Sequence, residues 1–268
     1  MSKGVLVDVT RCVGCGSCVV ACKMWNDLQH NKETPALGKD AKLAAENWTV
    51  VNKVETRKEG KKVWRFVKEQ CLHCEEPACA SACFSRAIKK TEDGPVVYDV
   101  NLCVGCRYCM LACPFNIPKY EWDKTFPRVR KCQMCAGRIS KGEPPACVGV
   151  CPAGALTYGE HGDLIKLARK KINEGKNYIR HIYGEKEAGG TAWLYISDVP
   201  FEDLGFRTGV TTRPLPEYTE SILSLTPAVG LGWGALLTGM YVYNRRRNQI
   251  AREESEKREK NKSQSRKR

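Results

Sequence analysis

Cysteine is the residue that most constrains how this chain can fold. The chain has 16 cysteines in 268 residues, and all of them fall into four runs of four. The runs are Cys12, Cys15, Cys18 and Cys22; Cys71, Cys74, Cys79 and Cys83; Cys103, Cys106, Cys109 and Cys113; and Cys132, Cys135, Cys147 and Cys151. Cysteines this close in sequence are poorly placed to pair as disulfides, so the runs indicate metal or cluster ligands.

The gaps within the runs indicate the kind of ligand set. Runs one and three read C-x2-C-x2-C-x3-C, the bacterial ferredoxin spacing in which three thiolates hold one [4Fe–4S] cluster and the fourth reaches a neighbouring cluster. Run two widens one gap to four residues around Glu76-Pro77, and run four widens its middle gap to eleven residues. Both insertions leave the ligand count intact, so the sequence predicts four [4Fe–4S] clusters that use every cysteine.

Structural zinc is the main alternative, because zinc sites also use C-x2-C pairs. Two C-x2-C pairs per site do not account for runs one and three, in which three cysteines follow one another at C-x2-C-x2-C spacing. Haem attachment needs a histidine directly after a C-x-x-C pair, and the residues at those positions are Gly16, Glu75, Arg107 and Ala136. A zinc-built structural scaffold therefore stays as the alternative of a different class.

The net charge of the chain depends on whether these cofactors are counted. The formal charge is +14, but sixteen thiolates and four oxidised cores of charge +2 would together contribute −8 and leave +6. The segment from Asn244 to Arg268 carries a net +7, so the rest of the protein is close to neutral at −1. A nearly neutral head with a basic tail does not indicate a nucleic-acid partner.

A long uncharged segment precedes the basic tail. From Ile222 to Tyr243 the chain runs twenty-two residues without a charge, which is long enough to cross a bilayer, and three arginines follow at 245–247. Gly230 and Gly234 form a G-x-x-x-G face that would let another helix approach closely. The segment predicts one transmembrane helix that packs on an integral-membrane partner, and the alternative is a buried helix of a soluble core.

The remaining elements are short. Strands are predicted at Val5 to Val9, Val96 to Asp99 and Ala192 to Ser197, short helices after the cysteine loops, and an amphipathic helix from Asp163 to Asn173. Residues 184–190 are predicted to form a turn or linker. No twin-arginine motif or apolar signal precedes the first strand, so export is expected to depend on a partner that carries the signal.

Three stretches resemble a known family. The segments "DVTRCVGCGSCVVACKMWND", "GCRYCMLACPFNIPKY" and "ACVGVCPAGAL" are similar to the four-cluster iron–sulfur subunits of respiratory complexes, among them formate dehydrogenase-N and hydrogenase-2. The resemblance implies an α+β fold of two interleaved bacterial dicluster-ferredoxin-like units, followed here by the C-terminal transmembrane helix. "HIYGEKEAGG" and "VPFEDL" resemble the hydrogenase-2 subunit, whereas "WND" and "NWTVV" resemble the formate dehydrogenase subunit.

Spacing alone leaves the pairing of the runs open, because similar gaps separate run two from run three and run three from run four. The resemblance implies that runs two and three form an inner unit and that runs one and four close around it. The implied ligand sets are Cys12, Cys15, Cys18 and Cys151 for cluster A; Cys71, Cys74, Cys79 and Cys113 for cluster B; Cys103, Cys106, Cys109 and Cys83 for cluster C; and Cys132, Cys135, Cys147 and Cys22 for cluster D.

These assignments divide the chain into six parts. The outer ferredoxin-like unit is expected at 1–25 and 114–200, an insertion at 26–63, the inner ferredoxin-like unit at 64–113, a linker at 201–221, the transmembrane helix at 222–243 and a basic cytoplasmic tail at 244–268. The insertion is polar enough to cover a partner surface.

The set of candidate functional residues predicts an electron relay and not an enzyme. No cysteine is left over and no acid–base constellation stands out, so no catalytic residue is predicted. His73 lies inside run two, where it could tune that cluster through a hydrogen bond or simply be solvated. His30, His161 and His181 suggest nothing specific.

The expected partners follow from the resemblance and from the predicted membrane helix. They are a catalytic oxidoreductase subunit and a quinone-reactive or cytochrome membrane subunit. The catalytic subunit is expected to be a [NiFe] uptake hydrogenase, with a molybdenum or tungsten formate dehydrogenase or related molybdopterin oxidoreductase as the alternative. The basic tail places the head on the outer face of the cytoplasmic membrane and the tail in the cytoplasm.

Overall fold

Short strands and helices alternate with the cysteine loops in a computed structural model that describes residues 2–31, 33–175 and 177–265. The strands are β1 Lys3–Asp8, β2 Leu37–Gly38, β3 Thr49–Lys58, β4 Lys61–Gln70, β5 Ile88–Lys90, β6 Val96–Tyr98, β7 Lys119–Tyr120, β8 Val129–Arg130, β9 Leu156–Glu160 and β10 Trp193–Ile196. The helices are α1 Ser17–Trp25, α2 Ala78–Ser81, α3 Tyr108–Ala112, α4 Ala136–Ile139, α5 Ala146–Gly149, α6 His161–Glu174 and α7 Glu217–Ser265. The chain forms two compact units, residues 1–217 and 218–268.

A sheet of order β10-β1-β9 is the centre of the first unit. β1 runs parallel to β10 and antiparallel to β9, so the N-terminal strand pairs with segments about 150 to 190 residues further along the chain. The predicted strands at Val5 to Val9 and Ala192 to Ser197 are therefore confirmed as β1 and β10. The pairing joins the N-terminal segment of the first unit to two segments that follow run four.

The alternation of side chains along β1 and β10 separates two parts of the core. Leu6, Leu194 and Ile196 pack with Leu164 and Ala168 of α6, the predicted amphipathic helix, on one side. The opposite side chains of the two strands, Val5, Val7, Trp193 and Tyr195, belong to a larger cluster that includes Cys147. The period of two along the strand thus places one face of the sheet toward the cysteines.

A β-hairpin that the sequence interpretation did not assign begins in the predicted insertion and continues into the predicted inner unit, as far as Gln70. β3 and β4 pair antiparallel from Thr49↔Gln70 to Lys58↔Lys61, and β2 lies parallel to β3. The turn residues Glu59 and Gly60 both have positive φ, 50° and 78°, as a two-residue type I′ turn requires. The end of the hairpin near Gln70 is buried, and β4 leads directly into run two.

Two small antiparallel ladders lie between runs two and four. β5 pairs with β6, which confirms the predicted strand at Val96, and β7 pairs with β8. Ile88, Val96 and Val129 from these ladders pack with Cys79 and Cys109 in a separate core cluster. The predicted turn at 184–190 contains a short 3-10 helix, Glu187–Gly189.

The second unit is formed by α7, which is longer than the predicted transmembrane segment at both ends. Its portion Glu217–Arg258 has a mean hydropathy of 1.4 over its most apolar window, and none of that window is buried within the structure. The helix continues through the basic tail because Arg, Glu, Lys and Ala there are good helix formers. The last residues of the predicted tail, 266–268, lie outside the described residues.

Candidate functional site

The cysteines of runs one and four line shared cavities. One cavity is lined by Cys12, Cys15, Cys18 and Cys151, the set predicted for cluster A. A second is lined by Cys22, Cys132, Cys135 and Cys147, the set predicted for cluster D. We call them cavity A and cavity D. The structure thus brings together thiols from opposite ends of the first unit.

Helices α1 and α5 explain how neighbouring cysteines of one run reach different cavities. Cys18 and Cys22 lie one helical turn apart on α1, and Cys18 lines cavity A whereas Cys22 lines cavity D. Cys147 lies on α5 and lines cavity D, and Cys151, just beyond that helix, lines cavity A. α1 and α5 pack against each other, so each helix region contributes one thiol to each cavity.

Glycines allow the loop of run one to turn along the lining of cavity A. Gly14 and Gly16 have φ of 69° and 76°, a left-handed conformation that glycine adopts without steric cost. A Cβ at Gly14 would overlap the ring of Phe66 on β4, so the hairpin packs directly on this loop. A side chain at position 14 is therefore excluded by both the turn and the packing.

The cysteines of runs two and three form two further sets in the inner part. Burial raises the pKa of Cys74 well above its usual range, and the neighbouring thiols of Cys71, Cys113 and Cys79 raise it further. Burial likewise raises the pKa of Cys109 to about 11, with added contributions from Cys83, Cys103 and Cys106. These neighbours are the sets predicted for clusters B and C, and α2 and α3 pack together to place them. Ligation of clusters by the four sets stays a prediction.

Neighbouring sets affect one another electrostatically. Cavities A and D share Lys68 in their lining, and Cys147 of set D raises the pKa of Cys18 of set A. Cys71 of set B raises the pKa of Cys132 of set D, and Cys109 of set C raises that of Cys79 of set B. These neighbours form the series A, D, B and C. Cys15 in set A and Cys106 in set C are exposed, so both ends of the series reach the surface.

Backbone N–H groups lie close to thiols of the sets. Within the described ranges, no group of three or more His, Cys, Asp or Glu side chains is compact enough to hold one metal ion. Backbone N–H groups of Gly105 and Met134 donate to the Sγ atoms of Cys103 and Cys132 at 3.4 and 3.3 Å. Such N–H···S contacts are typical of the loops that hold iron–sulfur clusters.

Buried donors without a partner support the same fit. Trp193 lines cavity D, is fully buried, and its Nε1 has no hydrogen-bond partner among the described residues. His73 is also fully buried, its Nδ1 accepts the backbone N–H of Val96 at 2.8 Å, and its Nε2 has no partner. Because Nδ1 accepts, the proton lies on Nε2, which makes Nε2 a free donor. A sulfur atom of a group bound in cavity D would satisfy Trp193 Nε1, and tuning of cluster B by His73 stays a prediction.

Sequence reasoning missed two buried lysines beside the cysteines. Lys68 lines both cavity A and cavity D, and Lys131 donates from Nζ to the carbonyl oxygens of Val96 and Cys132. Both side chains are almost fully buried. Lysine is so commonly exposed that its identity alone carries no sign of burial. The alternation of β4 was the one available signal, because Lys68 shares a face with Phe66 and Gln70.

Comparison with known proteins places these features in a family. Two models described as "4Fe-4S dicluster domain" match residues 62–161 and 11–87. A protein of Nitratidesulfovibrio vulgaris is 46% identical over 259 residues, covering 94% of this chain and 70% of that protein.

Two further relatives have informative names. The Hydrogenase-2 operon protein HybA of Escherichia coli O157:H7 is 36% identical over 237 residues, covering 76% of this chain and 72% of HybA. The iron-sulfur subunit of nitrate-inducible formate dehydrogenase of Escherichia coli K12 is 39% identical over 197 residues, covering 71% of this chain and 66% of that subunit.

Proposed function

The chain belongs to the 4Fe-4S dicluster family of electron-transfer iron–sulfur subunits related to HybA and to formate dehydrogenase iron-sulfur subunits, and on that basis we propose that it is a membrane-anchored relay with four clusters. Cys12, Cys15, Cys18 and Cys151 would hold cluster A, and Cys132, Cys135, Cys147 and Cys22 would hold cluster D. Cys71, Cys74, Cys79 and Cys113 would hold cluster B, and Cys103, Cys106, Cys109 and Cys83 would hold cluster C.

Each bound cluster supplies a carrier for one electron, and the four together relay electrons between a catalytic subunit and a quinone-reactive membrane subunit. The observation that carries this proposal is the order of the cysteine sets. Sets A, D, B and C form one series whose ends contain the exposed Cys15 and Cys106. A series with exposed ends and a buried middle is suited to exchange electrons with partners at both ends.

The surface around the two exposed cysteines supports docking of partners. Val13 and Val104 occupy the same position in the loops of runs one and three, between the first cysteine and the glycine, and both are more than 60% exposed. Leu111 and Phe126 are also more than 80% exposed. Apolar side chains at this exposure commonly mark interaction surfaces. In this proposal all sixteen cysteines act as ligands, and catalysis belongs to a partner.

For the catalytic partner we propose a [NiFe] uptake hydrogenase. The similarity to HybA extends over 237 residues of alignment, compared with 197 for the formate dehydrogenase subunit. A molybdenum or tungsten formate dehydrogenase is the second candidate, because the identity is higher in that comparison, 39% against 36%. The helix α7, with its G-x-x-x-G face at Gly230 and Gly234, supports an integral-membrane partner.

Purification of the intact complex would distinguish the two candidates. The complex would be extracted with mild detergent under anaerobic conditions and analysed by mass spectrometry and metal analysis. Nickel with hydrogenase subunits, and reduction of the clusters by H2, is the expected result. A large subunit with a pterin cofactor, together with formate-dependent reduction of the clusters, would overturn the choice of partner while leaving the relay in place.

A further inference from the structure

Lys68 is a buried cation in the wall between two cofactor cavities. It lies on β4 two residues before Gln70 and is only 2% exposed. Its side chain lines cavity A together with Val51, and it lines cavity D together with Thr49 and Trp193. No other lysine or arginine lines either cavity among the described residues.

Neutral groups hold the ammonium of Lys68 in this wall. Nζ donates to Thr49 Oγ1 and to Gln70 Oε1, both at 2.7 Å, and lies 4.4 Å from the centre of the Trp193 ring. Gln70 is itself held by a hydrogen bond from its Nε2 to the hydroxyl of Tyr195 at 2.7 Å. The position of the charge is therefore set by a buried network and not by a flexible surface chain.

Among the described residues, the charge of Lys68 has no carboxylate partner. The ion pairs described for the hairpin involve Lys58, Lys62 and Arg65 but not Lys68. An unpaired buried cation is costly, so a nearby negative charge is needed. The thiols that interact with it electrostatically belong to sets A and D, including Cys12, Cys18, Cys22, Cys132 and Cys147, and its charge also lowers the pKa of His73. A cluster with four thiolates and an oxidised core of charge +2 would carry −2, and would become more negative on reduction.

We propose that Lys68 is a shared positioning charge that raises the reduction potentials of clusters A and D together. A cation at a fixed place stabilises the more negative, reduced form of a neighbouring cluster, and net charge is one of the factors that set cluster potentials. Because one side chain borders both cavities, the electron affinities of these two adjacent positions are linked. The inference rests on the four-cluster relay proposed above. It adds that one residue sets the reduction potentials of clusters A and D together.

Lys131 is the second buried lysine beside the cysteines, and comparison with it indicates which clusters the charge of Lys68 should affect. Lys131 is also buried and donates to the carbonyl oxygen of Cys132 in set D, but the thiols whose pKa it lowers are Cys79 and Cys113 of set B. The charges of Lys68 and Lys131 thus act on thiols of different sets. Loss of the charge at position 68 should therefore change the potentials of two clusters and leave the other two near their original values.

The experiment is a potentiometric titration of the anaerobically purified complex, monitored by electron paramagnetic resonance, with iron content measured on every sample. In Lys68→Met, two of the four midpoint potentials should fall enough to change the reduced-to-oxidised ratio at least about tenfold, or about 59 mV for a one-electron couple. Lys68→Arg should restore both. The matched control is Lys53→Met, which removes an exposed lysine of the same hairpin that also lies over a tryptophan ring, Trp64.

A second variant covers the case in which Lys68→Met does not assemble. Gln70→Glu keeps the size of the side chain and places a carboxylate beside Nζ, so the same two potentials should fall. Full iron content with unchanged potentials, or an equal shift of all four, would overturn the proposal for Lys68. A wild-type complex that lacks iron and sulfide would instead refute the relay itself, so the two failures are distinguishable.

Discussion

At the scale of single residues, the cavity that a cysteine lines is decided by its position on a helix and not by its run. Cys18 and Cys22 are four residues apart on α1, yet they line cavities A and D. A helix advances about 1.5 Å per residue, so one turn separates the two thiols by about 5–6 Å. That offset is enough to place them on neighbouring sites.

Cys22→Ala tests this division directly. The variant should lose or damage cluster D, with a loss of up to about four iron atoms per chain, because Cys22 lines cavity D with Cys132, Cys135 and Cys147. Cluster A should stay largely intact. Mössbauer and electron paramagnetic resonance spectra of the purified variant would locate the lesion.

Cys18→Ala is the matched control for that experiment, because it removes a thiol from the same helix but from cavity A. It should damage cluster A and spare cluster D. Loss of cluster A alone in Cys22→Ala would contradict the exchange of ligands between runs one and four.

The sequence and the family resemblance predicted which cysteines the structure brings together, because cluster loops need a fixed local spacing, and their role as ligands stays a prediction. The sequence predicted less about the residues that surround them. Lys68 on β4 and Trp193 on β10 line cavity D although they lie far apart in the chain, and no local pattern carries that information. His73 could be suspected from its place in run two, but its burial and its free Nε2 depend on the β6 backbone.

At the scale of elements, the hairpin β3–β4 is attached to the first unit by ion pairs. Lys58 Nζ lies 2.8 Å from Asp198 Oδ2, and Arg65 Nε donates to Asp198 Oδ1 at 2.8 Å. Burial raises the pKa of Asp198, but the hydrogen bonds from Arg65 and Lys58 outweigh it and leave that pKa below its usual value. These ion pairs are important because the same hairpin carries Lys68, and its Phe66 packs on the loop of run one.

Asp198→Asn should weaken this attachment. The loss of a well-ordered carboxylate with two cationic partners should cost about 2 kcal/mol, discounted for the partial exposure of both cations. The midpoint for thermal loss of the visible cluster absorption should fall by about 4–8 °C. Asp203→Asn is the control, because Asp203 is exposed and accepts only a long hydrogen bond from Thr56 at 3.4 Å.

The pH dependence of this effect follows from the depressed pKa of Asp198. A carboxylate with a lowered folded-state pKa stabilises the fold fully above its unfolded pKa near 4, and that contribution is lost as the pH falls through the lower, folded-state value. The difference between wild type and Asp198→Asn should therefore be constant between about pH 6 and 8. A difference that disappears within this range would contradict the assignment of the ion pair.

Elements with a strong period were predictable and the hairpin was not. The strands β1 and β10 were predicted because they are short runs of apolar, largely β-branched or aromatic residues, and the helix α6 because its apolar residues repeat with the period of a helix. The hairpin has charged residues on its solvent face, so the segment read as a polar insertion. α7 extends past its apolar part because a membrane segment and a charged segment can form one continuous helix. The change from apolar to charged residues indicates where the environment changes, but it does not indicate where the helix ends.

At the scale of the whole molecule, the charge distribution gives an expected orientation. The tail beyond Tyr243 has a net charge of +7, and positive charges flanking a membrane segment favour the cytoplasmic side. Protease added to intact spheroplasts should therefore degrade the part that carries the cysteines and leave the tail protected. Degradation of the tail with protection of the cysteine-bearing part would place the latter in the cytoplasm.

The central claim is that the chain holds four [4Fe–4S] clusters through all of its cysteines, and the content of iron and acid-labile sulfide tests it most directly. The 16 cysteines, four for each cluster, require about sixteen iron and about sixteen sulfide per chain in anaerobically purified protein. The account predicts values close to these after full reconstitution, with the visible absorption of iron–sulfur clusters. A preparation that contains mainly zinc, or that reaches only about half of this iron and sulfide, would contradict it.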